Sequence, residues 1–213
     1  MIQHSFSYDD QRSFAKLSGD YNPAHLDPVK ARRTKFGQPV VHGVHALLWA
    51  LNILFAEKTE ALKLVSLKAF FNQPIFVGQN VQLILKTKDE TSIEIQIHTQ
   101  NNQALGITAK YLPRGTEKYL GYSNSNPKFR KCLERKPEEL TNASGRLILC
   151  LNQNETILRF PNLMRTLPSN QLAELMALTR LIGMECPGLN SIFSDFSLDF
   201  SNPSEDSFYL NYK

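Results

Sequence analysis

A run of residues that is apolar on every side places the strongest limit on what this chain can fold into. In HGVHALLWALNILFAEKTE, only His45 and Asn52 interrupt the apolar residues between Val44 and Ala56. A helix with apolar side chains all around its surface has to be buried by other elements. The sequence therefore predicts a long central helix that is enclosed on all sides.

Strand-like segments follow this helix and indicate what encloses it. LKLVSLKAFFNQPIFVG, NVQLILKTK, TSIEIQIHTQ and ALGITAKYLP contain alternating or continuous apolar residues, and Gly, Asn, Asp or Gln separates them. Helices and strands are segregated along the chain, which is typical of an α+β protein. We expect an antiparallel sheet that wraps around the central helix.

The composition divides the chain into two units. We predict a first unit over residues 1–115, a polar and basic linker with some local helix over 116–145, and a second unit over 146–213. In the second unit, GRLILCLNQNETILRF predicts a hairpin, SNQLAELMALTRLIG a helix, and NSIFSDFSLDFSNP and DSFYLNYK two strands. This order repeats the first unit but stops two strands short. Either another chain finishes this sheet or the sequence is a piece of a longer protein, and we favour the latter.

Composition and charge exclude several classes of protein. The 213 residues, 42% of them hydrophobic, can bury a sizeable core, and no apolar run or amino-terminal pattern indicates a membrane span or signal peptide. We therefore expect a cytoplasmic protein. Cys132, Cys150 and Cys186 are odd in number and widely spaced, which supports neither a disulfide framework nor a zinc site.

The formal net charge of +4 is concentrated in two basic runs. KARRTK spans residues 30–35 and KFRKCLERK spans residues 128–136. Each run is either a solvated face or a contact for phosphate groups, and the residues alone leave both readings open. Neither run resembles a nucleic-acid-binding module.

The segment SGDYNPAHLD, which begins at Ser18, is the candidate functional loop. Pro23 fixes its own backbone and restricts Asn22 to extended conformations, so the loop is rigid at this point. Asp20 and His25 can then point at one spot and hold a water molecule between them, an arrangement suited to adding or removing water at an activated carbon. The alternative is that Asp20 and Asn22 only form turn hydrogen bonds, and the spacing leaves both possibilities open.

Helix boundaries frame this loop. Ser7 with Asp10 forms a capping box, and Gly19 ends the helix that follows. Asp27 before a proline is interpreted as a helix cap only. The central helix starts at Gly43, where unpaired backbone amides and the lack of a side chain suit an oxyanion site.

The stretch FAKLSGDYNPAHLDPVKARRTKFGQPVVHGVHALLWAL closely resembles the signature of the MaoC-like family, the (R)-specific enoyl-thioester hydratases of the hot dog fold. The matching letters are SGDxNPxHxD, FGxPxxHG and the buried helix behind them. The resemblance covers the first ~115 residues by strand order, whereas the second half matches only the layout of a double hot dog, with an incomplete second unit.

The resemblance implies a reaction and a set of roles. Water would add reversibly to a trans-2-enoyl thioester and give an (R)-3-hydroxyacyl thioester, without a cofactor or a metal. Asp20 and His25 would be the catalytic pair, Asn22 and Pro23 would support the loop, and the amide of Gly43 would polarise the thioester carbonyl. The second unit would cover the first and shape an acyl tunnel, as an internal pair or within a homodimer.

The candidates for substrate contact are His42, Trp49, Arg32 and Arg33. The two arginines, with Lys35, are placed to meet either CoA phosphates or an acidic acyl carrier protein, and the sequence does not separate these two carriers. His45 is expected to be a core histidine that is bonded to a backbone carbonyl.

One departure from the family supports an alternative function. Many members carry a hydroxyl residue in the helix after HG, and residues 49–52 of this chain contain neither Ser nor Thr. The alternative is therefore a non-catalytic hot dog module that binds acyl chains or a carrier protein in fatty-acid or polyketide metabolism.

Overall fold

The computed structural model describes residues 2–87, 89–100, 102–115, 121–189, 191–200 and 208–213. In the first half, the elements follow in the order β1 (Ile2–Ser5), α1 (Tyr8–Ser18), α2 (Pro23–Leu26), α3 (Pro28–Ala31), α4 (Gly43–Leu54), β2 (Leu62–Phe71), β3 (Asn80–Thr87), β4 (Ser92–Thr99) and β5 (Asn102–Pro113). In the second half, they follow in the order α5 (Pro137–Leu140), β6 (Gly145–Ile148), α6 (Gln153–Arg159), α7 (Pro161–Thr166), α8 (Ser169–Arg180), β7 (Asp195–Asp199) and β8 (Tyr209–Tyr212).

The central helix and its sheet match the α+β prediction. Six antiparallel strands form one sheet in the order β1-β3-β4-β5-β2-β7, and β6 pairs with β8 in a second, two-stranded sheet. Helix α4 packs in the main core, where Leu47, Leu48 and Leu51 are fully buried together with Ile95 and Ile107 of the sheet. Burial of a leucine side chain contributes about 2 kcal/mol to folding, so the all-round apolar pattern of α4 is a major source of stability.

The helix boundaries near the candidate loop follow from their capping residues. Ser7 and the Asp10 side chain form the predicted capping box, and Gly19 ends α1 in the left-handed conformation with φ of 78°. The Asp27 carboxylate accepts hydrogen bonds from the amides of Val29 and Lys30, so the interpretation of Asp27 as a helix cap is confirmed.

Strand β7 joins the second half of the chain to the sheet of the first. It pairs antiparallel with β2 at the sheet edge, and the pairing is centred on Lys68 opposite Ser197. In the repeat that relates SLKAFFNQP to SDFSLDFSNP, these two residues occupy equivalent places. The two similar segments therefore lie side by side and run in opposite directions.

The predicted hairpin in GRLILCLNQNETILRF is wrong in its second arm. Residues 145–148 form strand β6, but Gln153–Arg159 form helix α6. The Asn152 side chain accepts a hydrogen bond from the Glu155 amide and caps this helix, a local signal that outweighs the short apolar pattern. Strand β6 pairs instead with β8, the last strand of the chain.

The segment before α5 lies against the second half rather than running free. Leu133 donates its amide to the Met184 carbonyl, and Ser123 exchanges backbone hydrogen bonds with Leu149 and Leu151. Among the described residues, no helix is both long enough and apolar enough to cross a bilayer.

Candidate active site

The loop after α1 is held in place by its own side chains. The side-chain oxygen Oδ1 of Asn22 caps α2 by accepting the backbone amide of Ala24 at 3.0 Å, and Pro23 occupies the first helical turn. The side-chain amide of Asn22 donates to the Gly183 carbonyl at 2.9 Å. The turn hydrogen bonds of the simpler reading are therefore present, and they fix the positions of Asp20 and His25.

Asp20 is a buried carboxylate whose two oxygens are both hydrogen bonded. The Thr179 hydroxyl donates to Oδ2 at 2.7 Å, and the backbone amide of Asn22 donates to Oδ1 at 3.2 Å. Burial raises the pKa of Asp20, while His25 and these two hydrogen bonds act in the opposite direction. Asp20 can therefore hold or release a proton at a pH above that of an ordinary aspartate.

His25 has one ring nitrogen committed and one available. Nδ1 lies 2.8 Å from the Val40 carbonyl oxygen, which can only accept, so Nδ1 carries the proton and the neutral ring keeps a lone pair on Nε2. A ring nitrogen of His25 and a carboxylate oxygen of Asp20 lie within 4.8 Å of each other. This separation fits a water molecule that hydrogen bonds to both groups.

Gly43 presents the amino terminus of α4 beside this pair. No side chain caps this end of the helix among the described residues, so its first amides are free to donate. A Cβ atom on Gly43 would lie 2.5 Å from Cε1 of Phe71, so glycine is required for this close approach. Gly43, Asp20 and His25 line one cavity, and the structure thus brings together the three residues that the sequence singled out for chemistry.

The cavity combines a polar end with apolar walls. Its empty volume is about 980 Å³, including the part that is open to solvent. Apolar side chains from both halves line it, among them Val44, Phe71, Leu105, Ile182 and Phe193. Such a space suits an acyl chain whose reactive end lies at the polar residues.

The second half of the chain completes the surroundings of Asp20. Thr179 lies in α8, and Gly183 lies in the π-helical segment Leu181–Glu185 that continues it. A Cβ on Gly183 would come within 2.3 Å of Asp20 Oδ1, so this glycine makes room for the carboxylate. Thr179 also directs its hydroxyl at Asp20, and the signature in the first half gave no sign of this contact.

His42, which the sequence proposes as a substrate contact, lies behind the loop and does not line the cavity. His42 is fully buried, and its Nε2 donates to the Asp20 carbonyl at 3.0 Å. Its Nδ1 lies 2.9 Å from the side-chain oxygen of Gln11, and its ring stacks on that of His25 at 3.8 Å. Burial lowers the pKa of His42 well below its ordinary value. His42 therefore supports the loop from behind as a neutral ring.

Gln11 was missed by sequence reasoning. Its side-chain oxygen accepts the His42 backbone amide at 3.0 Å, and its amide nitrogen lies 3.3 Å from Nδ1 of His45. His45 is a buried core histidine, as predicted, but its partner is this side chain rather than a backbone carbonyl. Burial lowers the pKa of His45 to about 3. Gln11 is fully buried, but the sequence shows only a glutamine within a short helix. Its role therefore cannot be recognised without the fold.

Two further predicted substrate contacts lie outside the cavity. Trp49 stacks on His4 at 5.0 Å and meets Phe6 edge-on, so it packs on the far side of α4. A neighbouring cavity shares Asn22 and Lys35 with the one described above. Arg32 is exposed and lines neither of the two cavities. Arg33 lines the neighbouring cavity, and Lys35 lines both.

Asp20, His25 and His42 are close enough to suggest a metal site, since one ligand atom from each lies within 4.8 Å of the others. Both ring nitrogens of His42 face oxygen atoms, however, so neither directs a lone pair at the site. Asp20 and His25 alone provide fewer ligands than the three protein ligands of an open zinc site. The donor set fits an acid–base pair better than a metal centre.

Comparisons with known proteins agree with this fold. A solved MaoC-like dehydratase has a TM-score of 0.60 and 9% identity, with 98% of this chain and 83% of that chain covered, which shows the hot dog fold over both halves. The family model of the MaoC like domain matches residues 3–107. The (R)-specific enoyl-CoA hydratase of Aeromonas caviae is 31% identical over 117 residues, covering 51% of this chain and 86% of that protein. The chain belongs to the MaoC-like dehydratase family.

Other curated relatives are matched over a smaller share of their length. The mitochondrial 3-hydroxyacyl-[acyl-carrier-protein] dehydratase of Arabidopsis thaliana is 33% identical over 76 residues, which are 36% of this chain and 45% of that protein. The chain spans less than half the length of several curated relatives that it matches.

Proposed function

We propose that this protein adds water reversibly to trans-2-enoyl thioesters and forms (R)-3-hydroxyacyl thioesters. The observation that carries the proposal is the pair formed by buried Asp20 and half-buried His25, which faces a partly apolar cavity beside the free backbone amide of Gly43. Relatives whose names state an (R)-specific hydratase and a 3-hydroxyacyl dehydratase support the same chemistry and its two directions.

The helix terminus activates the substrate. Addition of water at C3 moves negative charge onto the thioester oxygen, and a backbone amide aimed at that oxygen stabilises this charge. Gly43 is placed for this role because it opens α4 and lines the cavity. The ring of Phe71 packs against the Cα of Gly43 on the side where another residue would carry its Cβ.

The pair activates water and returns a proton. The free Nε2 of His25 and the Asp20 carboxylate each accept a hydrogen bond from one water molecule, which leaves a lone pair on the water oxygen for C3. As the C3–O bond forms, an O–H bond of the water breaks and its proton moves to His25. The same proton then goes to C2 as the enolate collapses, so protons balance and both new bonds lie on one face of the substrate.

Substitution of either member of the pair tests this assignment. Asp20→Asn keeps the shape of the side chain and His25→Gln keeps a polar side chain, but both remove the proton chemistry, so kcat should fall by about 10²- to 10⁴-fold. The measurement is the loss of enoyl absorbance when purified full-length protein is mixed with crotonyl-CoA. Arg12→Ala, on an exposed part of α1, serves as the control variant and should retain wild-type turnover.

The alternative function is that of a non-catalytic binding module. Tight binding of an enoyl thioester without turnover in either direction would select it. The departure that motivated this alternative, the missing hydroxyl in α4, loses its weight because Thr179 donates a hydroxyl to Asp20 from α8.

A further inference from the structure

A second cavity adjoins the candidate active site and opens on the same loop. Its empty volume is about 1680 Å³, including the part that is open to solvent. Asn22, Ala24, Lys35, Phe36 and Ile192 line both cavities, so the two spaces share a wall. A molecule that occupies the first cavity can therefore extend directly into the second.

The wall of the second cavity is strongly basic. Five cationic side chains line it: Lys30, Arg33, Lys35, Arg130 and Lys131. They come from the two basic runs that the sequence showed about a hundred residues apart, and the fold brings these runs to one place. Glu134 is the one acidic residue on this wall within the part of the chain that the structure describes.

Within the described parts of the chain, three of these cations have no counter-charge of their own. Lys30 lies 3.5 Å from the Asp27 carboxylate, and Arg130 lies 3.4 Å from that of Glu185. Arg33, Lys35 and Lys131 form no ion pair with any described residue. Unpaired cations that converge on a cavity favour an anionic ligand, and phosphate is the group that arginine and lysine bind best.

An aromatic surface accompanies the charges. Phe129 lines the cavity with 71% of its surface exposed, although it is a large apolar side chain. The ring of Tyr21 meets it edge-on at 4.9 Å and holds one side of it. An exposed aromatic face beside cations is a suitable platform for a flat heterocyclic base.

We propose that this second cavity binds the phosphorylated nucleotide end of CoA, with the phosphates on Arg33, Lys35 and Lys131 and the adenine on Phe129. The pantetheine arm then passes Asn22 and Ala24, and the acyl group reaches Asp20 and His25 in the first cavity. The proposal rests on the proposed function and narrows its substrate to CoA thioesters. A phosphopantetheine arm on a carrier protein has one of these phosphates and no adenine, so it would leave Phe129 without a partner.

Binding of adenosine 3′,5′-bisphosphate, the nucleotide part of CoA, tests this without any need for catalysis. Calorimetry on the full chain should show binding that weakens as salt is added, because exposed charge pairs are screened. Arg33→Glu/Lys131→Glu should raise the Kd at least about tenfold. The matched variant Arg32→Glu/Lys128→Glu carries the same change of charge at neighbouring exposed positions outside both cavities, and should stay within about twofold of wild type.

A kinetic comparison of two substrates provides a second test of the proposal. Crotonyl-CoA should be used with a higher kcat/KM than crotonyl-pantetheine, which lacks the phosphates and adenine, and only the CoA substrate should lose efficiency in Arg33→Glu/Lys131→Glu. Equal kcat/KM for the two substrates, equal nucleotide binding by both charge-reversal variants, or lack of nucleotide binding by the wild type would overturn the proposal. If nothing is hydrated while the nucleotide still binds as expected, the proposed reaction fails and the nucleotide site stands.

Discussion

The chemistry proposed for this protein depends on the surroundings of one carboxylate. Asp20 is only 2% exposed, and its ionised form is stabilised by the Thr179 hydroxyl and the Asn22 amide rather than by a cation in direct contact. Burial raises its pKa, while the charge of His25 and these two hydrogen bonds lower it, so the balance depends on few atoms. Changes to those atoms should therefore move the pH dependence of catalysis.

Thr179 is expected to be a positioning residue that acts through Asp20. Thr179→Val removes the hydrogen bond to Oδ2 and keeps the shape of the side chain, so the pKa of Asp20 should rise further. If the ionised carboxylate is the active form, the acidic limb of the kcat profile should move to higher pH. Thr179→Ser should restore the wild-type profile.

The measurement is kcat for crotonyl-CoA as a function of pH, with circular dichroism at each point to confirm that the protein is folded. A uniform fall of kcat at all pH values in Thr179→Val, with the limb in its original place, would show that the threonine supports only the packing of α8.

The elements that frame the site are held together by a buried polar network. Gln11 joins α1 to α4, because its oxygen accepts the His42 amide and its nitrogen reaches the His45 ring. Phe14 stacks on His45 at 4.6 Å beside this contact. The helix amino terminus that presents Gly43 is thus positioned by α1, the element from which the Asp20 loop emerges.

Gln11→Leu should destabilise the protein by about 2–3 kcal/mol, because it leaves the buried His42 amide and the His45 nitrogen without partners. Urea unfolding of the variant measures this free energy. Arg12→Ala is the control on the same helix. The Arg12–Asp9 pair is exposed, so its loss should cost less than about 1 kcal/mol. Equal stability of Gln11→Leu and wild type would show that the network does not hold α1 on α4.

Elements with local signals could be predicted from the sequence, and contacts between distant segments could not. The apolar run of α4, the Ser7–Asp10 capping box and the rigid Asp20 loop each depend on residues within a few positions of one another. Thr179 reaches Asp20 across 159 residues, and no periodicity within α8 distinguishes it from other buried residues. The convergence of the two basic runs required the same long-range information.

At the scale of the whole molecule, one site is built from both halves of the chain. The first half provides Asp20, His25 and Gly43, while the second provides Thr179, Gly183 and part of the cavity wall. Strand β7 fixes the halves to each other through its pairing with β2. The sequence predicted that the second half only covers the first. The second half also positions the Asp20 carboxylate, because Thr179 donates a hydrogen bond to it.

Two buried histidines should make the stability of the whole fold sensitive to acid. The pKa of His42 lies well below 6.5 in the folded protein, and that of His45 is about 3, because burial disfavours their charged forms. The unfolded chain binds protons on both near pH 6.5 and the folded chain does not, so stability is full above 6.5 and is lost as pH falls toward 3. Each histidine should contribute a loss of about 1 kcal/mol per pH unit in this window.

Urea unfolding at pH 7, 6 and 5 measures this slope. His45→Gln keeps an acceptor for Gln11 and removes the titrating ring, so the variant should lose stability less steeply than wild type by about 1 kcal/mol per pH unit. Parallel slopes for variant and wild type would mean that His45 takes up its proton in the folded state at an ordinary pH.

The source of the hydroxyl oxygen in the product, together with the configuration at C3, tests the central claim most directly. Wild-type protein should convert crotonyl-CoA in H₂¹⁸O into 3-hydroxybutyryl-CoA that carries one ¹⁸O at C3, in the R configuration, and Asp20→Asn should form almost none. A product of S configuration, or equal labelling by wild type and Asp20→Asn, would contradict a water held between Asp20 and His25.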